Sequence, residues 1–450
     1  MDKKANKMFT IWSTLILKNP AKRKTLLKVF KGYLFAAIWV LSPIVHLIEL
    51  ILFPITYFSI QKKEKVFPRN IVMSAKVYIN KIEKFLPNNP VSNDEMEHIL
   101  GEINNKPSKS RRLILRNNGI QTRYYALDNQ QNVTHNNAQL TALAIKKLVA
   151  GDFSLNDIDI LSCGTSTPDV LLPSHAAMVH GLLKNKSVEL NSSSGVCCSG
   201  MNALKYGYLA IKAETANNAV CTGSERVSTW MMANKFEAEI ANLEALEEQP
   251  ILAFKKDFLR WMLSDGAGAM LLENEPKGSL PLEILWMENY SYAHELETCM
   301  YAGGEKMEDG SVKAWSEFST DEWKKESVFS LKQDVKILDE FILKKGVESM
   351  GDAMQKHNIK PSDITYFLPH ISSVFFKDKL YECFKNAGLE IPKDKWFINL
   401  PKVGNVGSAS IYLMLEELYH SNKLKSGDTI MLSVPESGRF SYAYAFLKVV

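Results

Sequence analysis

Apolar positions follow two regimes along the 450-residue chain. The first is "GYLFAAIWVLSPIVHLIELILFPITYFSI", Gly32 to Ile60, an almost unbroken apolar run long enough to cross a bilayer. Pro43 and Pro54 interrupt it, and His46 and Glu49 are costly at mid-membrane. Lys and Arg flank both ends, whereas a single span normally carries a one-sided bias. The pattern therefore predicts a bent, re-entrant or surface-lying segment with both ends facing the cytoplasm. A buried helical arm packed on the body or on a partner subunit satisfies it too. Met8–Leu17 reads as a short interfacial amphipathic helix, and the charged stretch 61–70 as a linker. Residues 1–70 thus form an N-terminal extension, with 32–60 its membrane-associating part.

The second regime begins at "KVYINKIEKFLP" (Lys76–Pro87), where apolar residues partly alternate as in a strand. Strand and helix patterns then take turns. Helices are predicted at Asn137–Leu148, Pro173–Leu183, Met201–Ala213, Asp334–His357, Val374–Ala387 and Ser410–His420. Extended segments are predicted at Ile158–Thr167, Ser187–Leu190, Asn218–Glu225, Asp363–Pro369 and Asp428–Glu436. "SDGAGAMLLE" (Ser264–Glu273) reads as a Gly/Ala-rich loop before an apolar strand. This alternation predicts α/β layers around buried sheets. Residues 230–261, rich in Met, Phe, Leu and Glu, look like an inserted helical cap.

Charge refines the division. The formal net charge is +4, but Lys and Arg are concentrated in residues 1–69, which leaves the body net acidic. Without a basic patch interleaved with aromatics, the body gives no reason to expect nucleic acid as a partner. Six cysteines lie scattered, with no CxxC pair and no Cys/His spacing for a metal. A reducing compartment follows, which places the body in the cytoplasm against the inner face of the membrane. A cleaved signal peptide fits poorly, because the apolar run starts late and lacks a small-residue exit.

Four segments carry candidate chemistry. "NSSSGVCCSGMNALKYGY" sets two cysteines at the start of a helix, where partial positive charge and free N–H groups favour a thiolate. Cys198 falls just before or in the first turn, with Ser199 and Gly200 keeping the approach open. An extended backbone would point Cys197 to the opposite side. By spacing alone either cysteine is equally well a small buried apolar residue. His370 in "TYFLPHISSVFF" stands at the carboxyl end of a predicted strand, where α/β folds place their sites. Asn405 lies in the Gly-Asn turn of "PKVGNVGSASIYLML", by itself a turn signal. "DGAGA" lacks the GxGxxG spacing of a phosphate loop.

Taken in order, Cys198, "DGAGA", His370 and Asn405 resemble the ketoacyl-acyl-carrier-protein synthase III family of thiolase-fold condensing enzymes. "GVCCSGM", Pro369-His370, Gly404-Asn405, "GIQTRYYA", "TSTPDVLLPSHAA" and the terminal "SGRFSYAYAFLKV" carry the resemblance, which covers residues 76–450. It implies a duplicated βαβαβαββ core in five αβαβα layers, one half at 71–275 and the other at 276–450. It also implies a homodimer whose substrates are acyl thioesters on coenzyme A or on the phosphopantetheine of an acyl carrier protein, with no cofactor. Cys198 would hold the acyl group, His370 and Asn405 would stabilise the enolate of the second thioester, and backbone N–H groups of Cys198 and Gly438 would form the oxyanion hole.

Two departures touch the carrier side. Ile371-Ser372-Ser373 replaces the family's Gln-Ala-Asn after Pro-His, and "PESGRF" brings Glu436 and Arg439 into a Gly-rich loop. The block from Val77 to Tyr125 is similar to ketosynthases of dialkylresorcinol and flexirubin-type pigment pathways. Those condense a β-ketoacyl thioester with a second acyl thioester towards a cyclohexanedione or resorcinol. Trp230, Met231, Met232, Phe236, Trp261 and Met262 are the expected wall of an apolar acyl channel, or else packing between cap and core. A catalytically silent partner subunit, and acyl transfer to an alcohol or amine, are the rival readings.

Overall fold

The computed structural model describes residues 75–108, 111–149, 151–235, 259–326 and 328–450. The expected membrane segment 32–60, most of the expected cap, and Phe236 lie outside the described residues. Among the described residues no helix is long and apolar enough to cross a membrane.

Nine strands form the main hydrogen-bonded sheet system. They are β1 (Tyr78–Phe85), β2 (Ile160–Thr165), β3 (Glu189–Ser194), β4 (Asn218–Glu225), β5 (Gly266–Glu273), β6 (Leu282–Ser291), β7 (Tyr366–Pro369), β8 (Thr429–Glu436) and β9 (Ser441–Val449). The principal helices are α1 (Asn137–Leu148), α2 (His175–Leu183), α3 (Cys198–Lys212), α4 (Val335–Lys356), α5 (Phe375–Asn386) and α6 (Ser410–Tyr419). The strand order is β7-β8-β9-β6-β1-β5-β4-β2-β3.

That order contains a repeat. In the first half β2 and β4 run parallel, β4 and β5 antiparallel, and β5 and β1 antiparallel. In the second half β7 and β8, β8 and β9, and β9 and β6 repeat those three senses. An isolated parallel bridge from Phe367 to Trp396 lies where β3 would have its counterpart. The halves touch through β1 and β6 over only two residue pairs, Tyr78 with Glu283 and Ile79 with Leu282.

Side-chain alternation builds the layers. Along β4, Ala219 and Cys221 join one core while Val220 joins another; along β8, Ile430 and Leu432 separate from Met431 in the same way. The shared central core unites both half-sheets with Met201 and Leu204 of α3 and Ile411 and Leu415 of α6. The outer face of the first half is covered by α1 and α2 through Leu140, Ile145 and Val179. The outer face of the second is covered by α4 and α5 through Met350 and Phe384. Helix, sheet, helix, sheet, helix: the five-layer duplicated architecture implied by the resemblance is what the structure contains.

Where the local reading differed, packing explains it. β5 begins at Gly266, so "GAGA" lies inside the strand rather than in a loop before it. The small residues are needed there because Tyr412 of α6 crosses Gly268, where a Cβ would come within 2.3 Å of the tyrosine Cβ. The predicted extended piece Ser187–Leu190 is displaced to Glu189–Ser194, a polar edge strand held by parallel pairing with β2.

Candidate active site

The carboxyl ends of several strands and the start of α3 converge on one cavity of about 490 Å³, bordered by Cys197, His370 and Asn405. That volume suits an organic ligand. Most of its wall is apolar. Leu338 and Ile342 of α4, Tyr442 and Tyr444 of β9, and Trp230 and Met262 supply much of it.

α3 starts where β3 ends and the chain turns at Gly195 and Val196. Cys197 is its N-cap, already in helical conformation (φ −62°, ψ −32°), and Cys198 is the first helical residue. Gly200 then passes so close to Ser408 that a Cβ would fall 2.2 Å from the Ser408 carbonyl oxygen. This contact ties the helix start of the first half to the Asn405 loop of the second.

The helical backbone at Cys197 corrects one expectation. Successive residues are rotated by about 100° around a helix, rather than alternating as in a strand. Cys197, half-buried, borders the cavity. Cys198 is 2% exposed and is not part of that wall. Its thiol donates towards the carbonyl oxygens of Val434 (3.3 Å) and Ser441 (3.7 Å). Burial pushes both thiols up, and the Glu436 carboxylate pushes them further.

The expected oxyanion donor Cys198 N–H is engaged within the chain: it donates at 2.9 Å to Glu436 Oε2, and a second N–H on that oxygen comes from Val196 at 3.0 Å. Gly438 abuts the same carboxylate: a Cβ there would lie 3.4 Å from Oε1. Glu436, the last residue of β8, is buried, which raises its pKa against the lowering effect of the two N–H bonds. Two backbone donors on one oxygen at a helix start make an anion site.

His370 follows β7 and is fixed by its own N–H to the Ser433 carbonyl at 2.8 Å. Burial lowers its imidazole to about 4, so the ring is neutral near pH 7. Asn405 is clamped on both sides of its backbone, its N–H donating to Met262 and its carbonyl accepting from Ser264, each at 2.9 Å. Its Oδ1 accepts the Gly407 N–H at 3.0 Å, which orients the amide and leaves its NH2 as the end available to a ligand.

Beside them stands Glu225, a buried acid that residue spacing alone does not mark. It ends β4 and accepts from the N–H groups of Ser166 and Ser408, both at 3.1 Å, and from the Thr167 hydroxyl at 2.8 Å. Burial pushes its pKa up while these donors pull it down. Glu225→Ala strands several buried donors, so we expect a stability loss of about 3 kcal/mol. Glu225→Gln, which keeps an acceptor, should lose less. Unfolding midpoints of the two variants check this, and an Ala variant as stable as the parent contradicts it. Asp265 of "DGAGA" is likewise a clamp, accepting from the N–H groups of Ala126, Val227 and Ser228.

Of the expected channel residues, Trp230 and Met262 border the cavity. Met231, Met232 and Trp261 do not. They are 3%, 9% and 0% exposed and belong to the apolar core behind it, where Trp261 stacks under Arg260 at 4.7 Å. For these three the packing alternative holds.

Residues 354–447 match the family described as 3-oxoacyl-[acyl-carrier-protein (ACP)] synthase III C terminal. The chain is 25% identical over 357 residues to the β-ketoacyl-[acyl-carrier-protein] synthase III of Aquifex aeolicus, covering 79% of this chain and 94% of that one. It is 26% identical over 366 residues to the enzyme of the same name from Clostridium perfringens (strain SM101), covering 81% and 97%. Among solved structures, AbyA1, a tetronic acid condensing enzyme, shares the fold with a TM-score of 0.65 at 18% identity, covering 83% of this chain and 99% of that one. A variant of Xanthomonas campestris OleA with bound lauric acid and lauroyl-CoA does so with a TM-score of 0.64 at 16% identity and the same coverage.

Proposed function

Because the chain belongs to the 3-oxoacyl-acyl-carrier-protein synthase III family of condensing acyltransferases, we propose that it joins two acyl thioesters through a thioester on Cys198. The observation that carries this reading is the pair of N–H groups of Val196 and Cys198 converging on a single oxygen beside the cavity of His370 and Asn405. Glu436 Oε2 stands there in place of a thioester carbonyl oxygen.

In the first half-reaction the Cys198 sulfur attacks the acyl carbonyl. The two N–H groups hold the developing oxyanion, and the carrier thiol leaves. In the second, the carbonyl oxygen of the incoming thioester accepts hydrogen bonds from the neutral His370 ring and the Asn405 amide. Its α-carbon, made nucleophilic by decarboxylation or deprotonation, attacks the acyl-cysteine and expels the thiolate. No cofactor enters this chemistry. The donors are thioesters of an acyl carrier protein or of coenzyme A, and the enzyme works as a homodimer. The extension at 1–70, with its apolar run and flanking Lys and Arg, holds the body at the inner membrane surface. The departures at Ile371–Ser373, Glu436 and Arg439 speak against a fatty-acid starter enzyme, and the likeness of Val77–Tyr125 to dialkylresorcinol and flexirubin-type ketosynthases favours a β-ketoacyl partner and a cyclohexanedione or dialkylresorcinol-type product.

Full-length protein given a β-ketoacyl thioester and a saturated acyl thioester is expected to yield one product containing both chains, identified by mass spectrometry. Acyl esters or amides without a new carbon–carbon bond would reassign it to acyl transfer. No acylation and no product from any pair would leave a silent partner subunit.

A further inference from the structure

Glu436 has a place in the site that the proposed chemistry does not yet use. Its Oε2 fills the position where the oxygen of a bound thioester would sit, on the N–H groups of Val196 and Cys198. Substrate oxygen and carboxylate cannot both occupy it. Acylation therefore requires Glu436 to leave, although an ionised carboxylate on two N–H groups at the start of a 15-residue helix is well held there.

We propose that Glu436 is the proton acceptor for the Cys198 thiol, and that taking this proton is what releases it from the oxyanion site. The inference rests on Cys198 being the acylated residue. Glu436 Oε2 is bonded to the backbone N–H of Cys198, and its charge is felt at the thiol of that residue. The thiol meanwhile rests on two carbonyl oxygens, neither of which can take a proton from it.

The step balances as follows. The S–H bond of Cys198 breaks and its proton goes to a carboxylate oxygen of Glu436. The sulfur keeps the electron pair and forms the C–S bond to the thioester carbonyl carbon. The carbonyl π pair moves to oxygen, which takes the two N–H groups that the now neutral carboxyl holds only weakly. When the tetrahedral intermediate collapses, the carrier sulfur leaves and receives the proton back from Glu436. The carboxyl thus ends as it began, and the nucleophile and its oxyanion site become available together.

The electrostatic surroundings fit this exchange. On α3 both thiols feel the Glu436 charge. On β4, Glu225 adds a second negative charge felt at Cys197. On β9, Tyr442 and Tyr444 are neutral phenols held far above their usual pKa by burial. Arg439, three residues beyond Glu436, gives its Nε–H to the Leu296 carbonyl. No ion pair to Glu436 is present among the described residues. A buried carboxylate raised by desolvation, held by two N–H groups, is a stronger base than an exposed one.

The sign of the pH effect follows. Ionised Glu436 is the active form, so acylation should rise with pH through the titration of this carboxyl and then level off. In Glu436→Gln an oxygen still accepts from both N–H groups but no proton can be taken. That variant should acylate about 100-fold more slowly at pH 7, with a rate that climbs only at alkaline pH where the thiol ionises by itself. Glu436→Asp should keep the carboxylate-dependent rise at reduced rate.

The test is the pre-steady-state acylation of full-length protein by octanoyl-CoA, followed by intact-protein mass spectrometry with peptide mapping, from pH 5 to 9. In parallel, iodoacetamide alkylation of Cys198 reads thiolate formation without any need for the oxyanion site. Slower acylation of the Gln variant, with the carboxylate-dependent rise lost from its profile, is the expected result, while its alkylation should not slow, because removing the Glu436 charge favours the thiolate. A Gln variant that acylates as fast as the parent or faster overturns the inference while leaving Cys198 as nucleophile. A parent that takes no octanoyl group on Cys198 overturns the functional reading instead.

Discussion

Cys198→Ala is expected to form no acyl-enzyme and to lose condensation by at least about 10³-fold, whereas Cys197→Ala should still be acylated and stay within about tenfold of the parent. The contrast is a demanding one, because of the two residues it is Cys197 that borders the cavity. The case for Cys198 rests on its backbone. Its own N–H is one of the two donors on the anion site, so an acyl group on its sulfur places the carbonyl oxygen against that donor. Its thiol rests against the Val434 and Ser441 carbonyl oxygens, a weak contact that acylation exchanges for a covalent bond. Cys197, by contrast, would use the N–H of the following residue. Intact mass of each variant after exposure to an acyl-CoA, with the modified peptide mapped, separates the two. An acyl group found on residue 197 of the Cys198→Ala protein at the parental rate transfers the role to Cys197.

That exchange of places between the two cysteines shows how far the sequence could be read. The doublet, the histidine and the asparagine stand out by their order along the chain. Which cysteine faces the cavity depends on whether residue 197 is extended or helical, a local choice made by where α3 begins. Helix α1 was legible to the residue, because Asn136 and Gln139 form a reciprocal cap ahead of a clean apolar stripe. β3 was not, because "NSSS" carries no strand signal and is extended only through its pairing with β2. Glu436 could be seen as an intrusion into a Gly-rich loop. Its bond to the Cys198 N–H joins residues 238 positions apart and follows from the packing of one half on the other. Composition likewise marked Met231, Met232 and Trp261 as apolar, without telling a cavity wall from the core behind it.

His370→Ala and Asn405→Ala should separate the two half-reactions. Each variant is expected to accept an acyl group on Cys198 at close to the parental rate and to lose condensation by about 10²–10³-fold, the usual cost of removing one donor from a developing enolate or oxyanion. Both residues border the same cavity, and neither is bonded to the N–H pair proposed to serve acylation. His370, lowered to about 4 by burial, stays neutral across the working range. It therefore donates one N–H without carrying charge, and condensation should show no His370 limb between pH 5 and 9. Protonation below about pH 4 would add a buried charge rather than a better donor. Asn405 brings a second consequence, since its Oδ1 also accepts the Gly407 N–H. The Ala variant should lose about 1 kcal/mol of stability as well, while Asn405→Asp keeps that acceptor but exchanges the donor for a buried carboxylate oxygen. Because the two residues are proposed to act on one oxygen, the double variant should be little worse than either single one. Acyl-enzyme prepared beforehand and chased with the second thioester measures the step directly. A loss of acylation that parallels the loss of condensation in both variants would show that His370 and Asn405 do not divide the work this way.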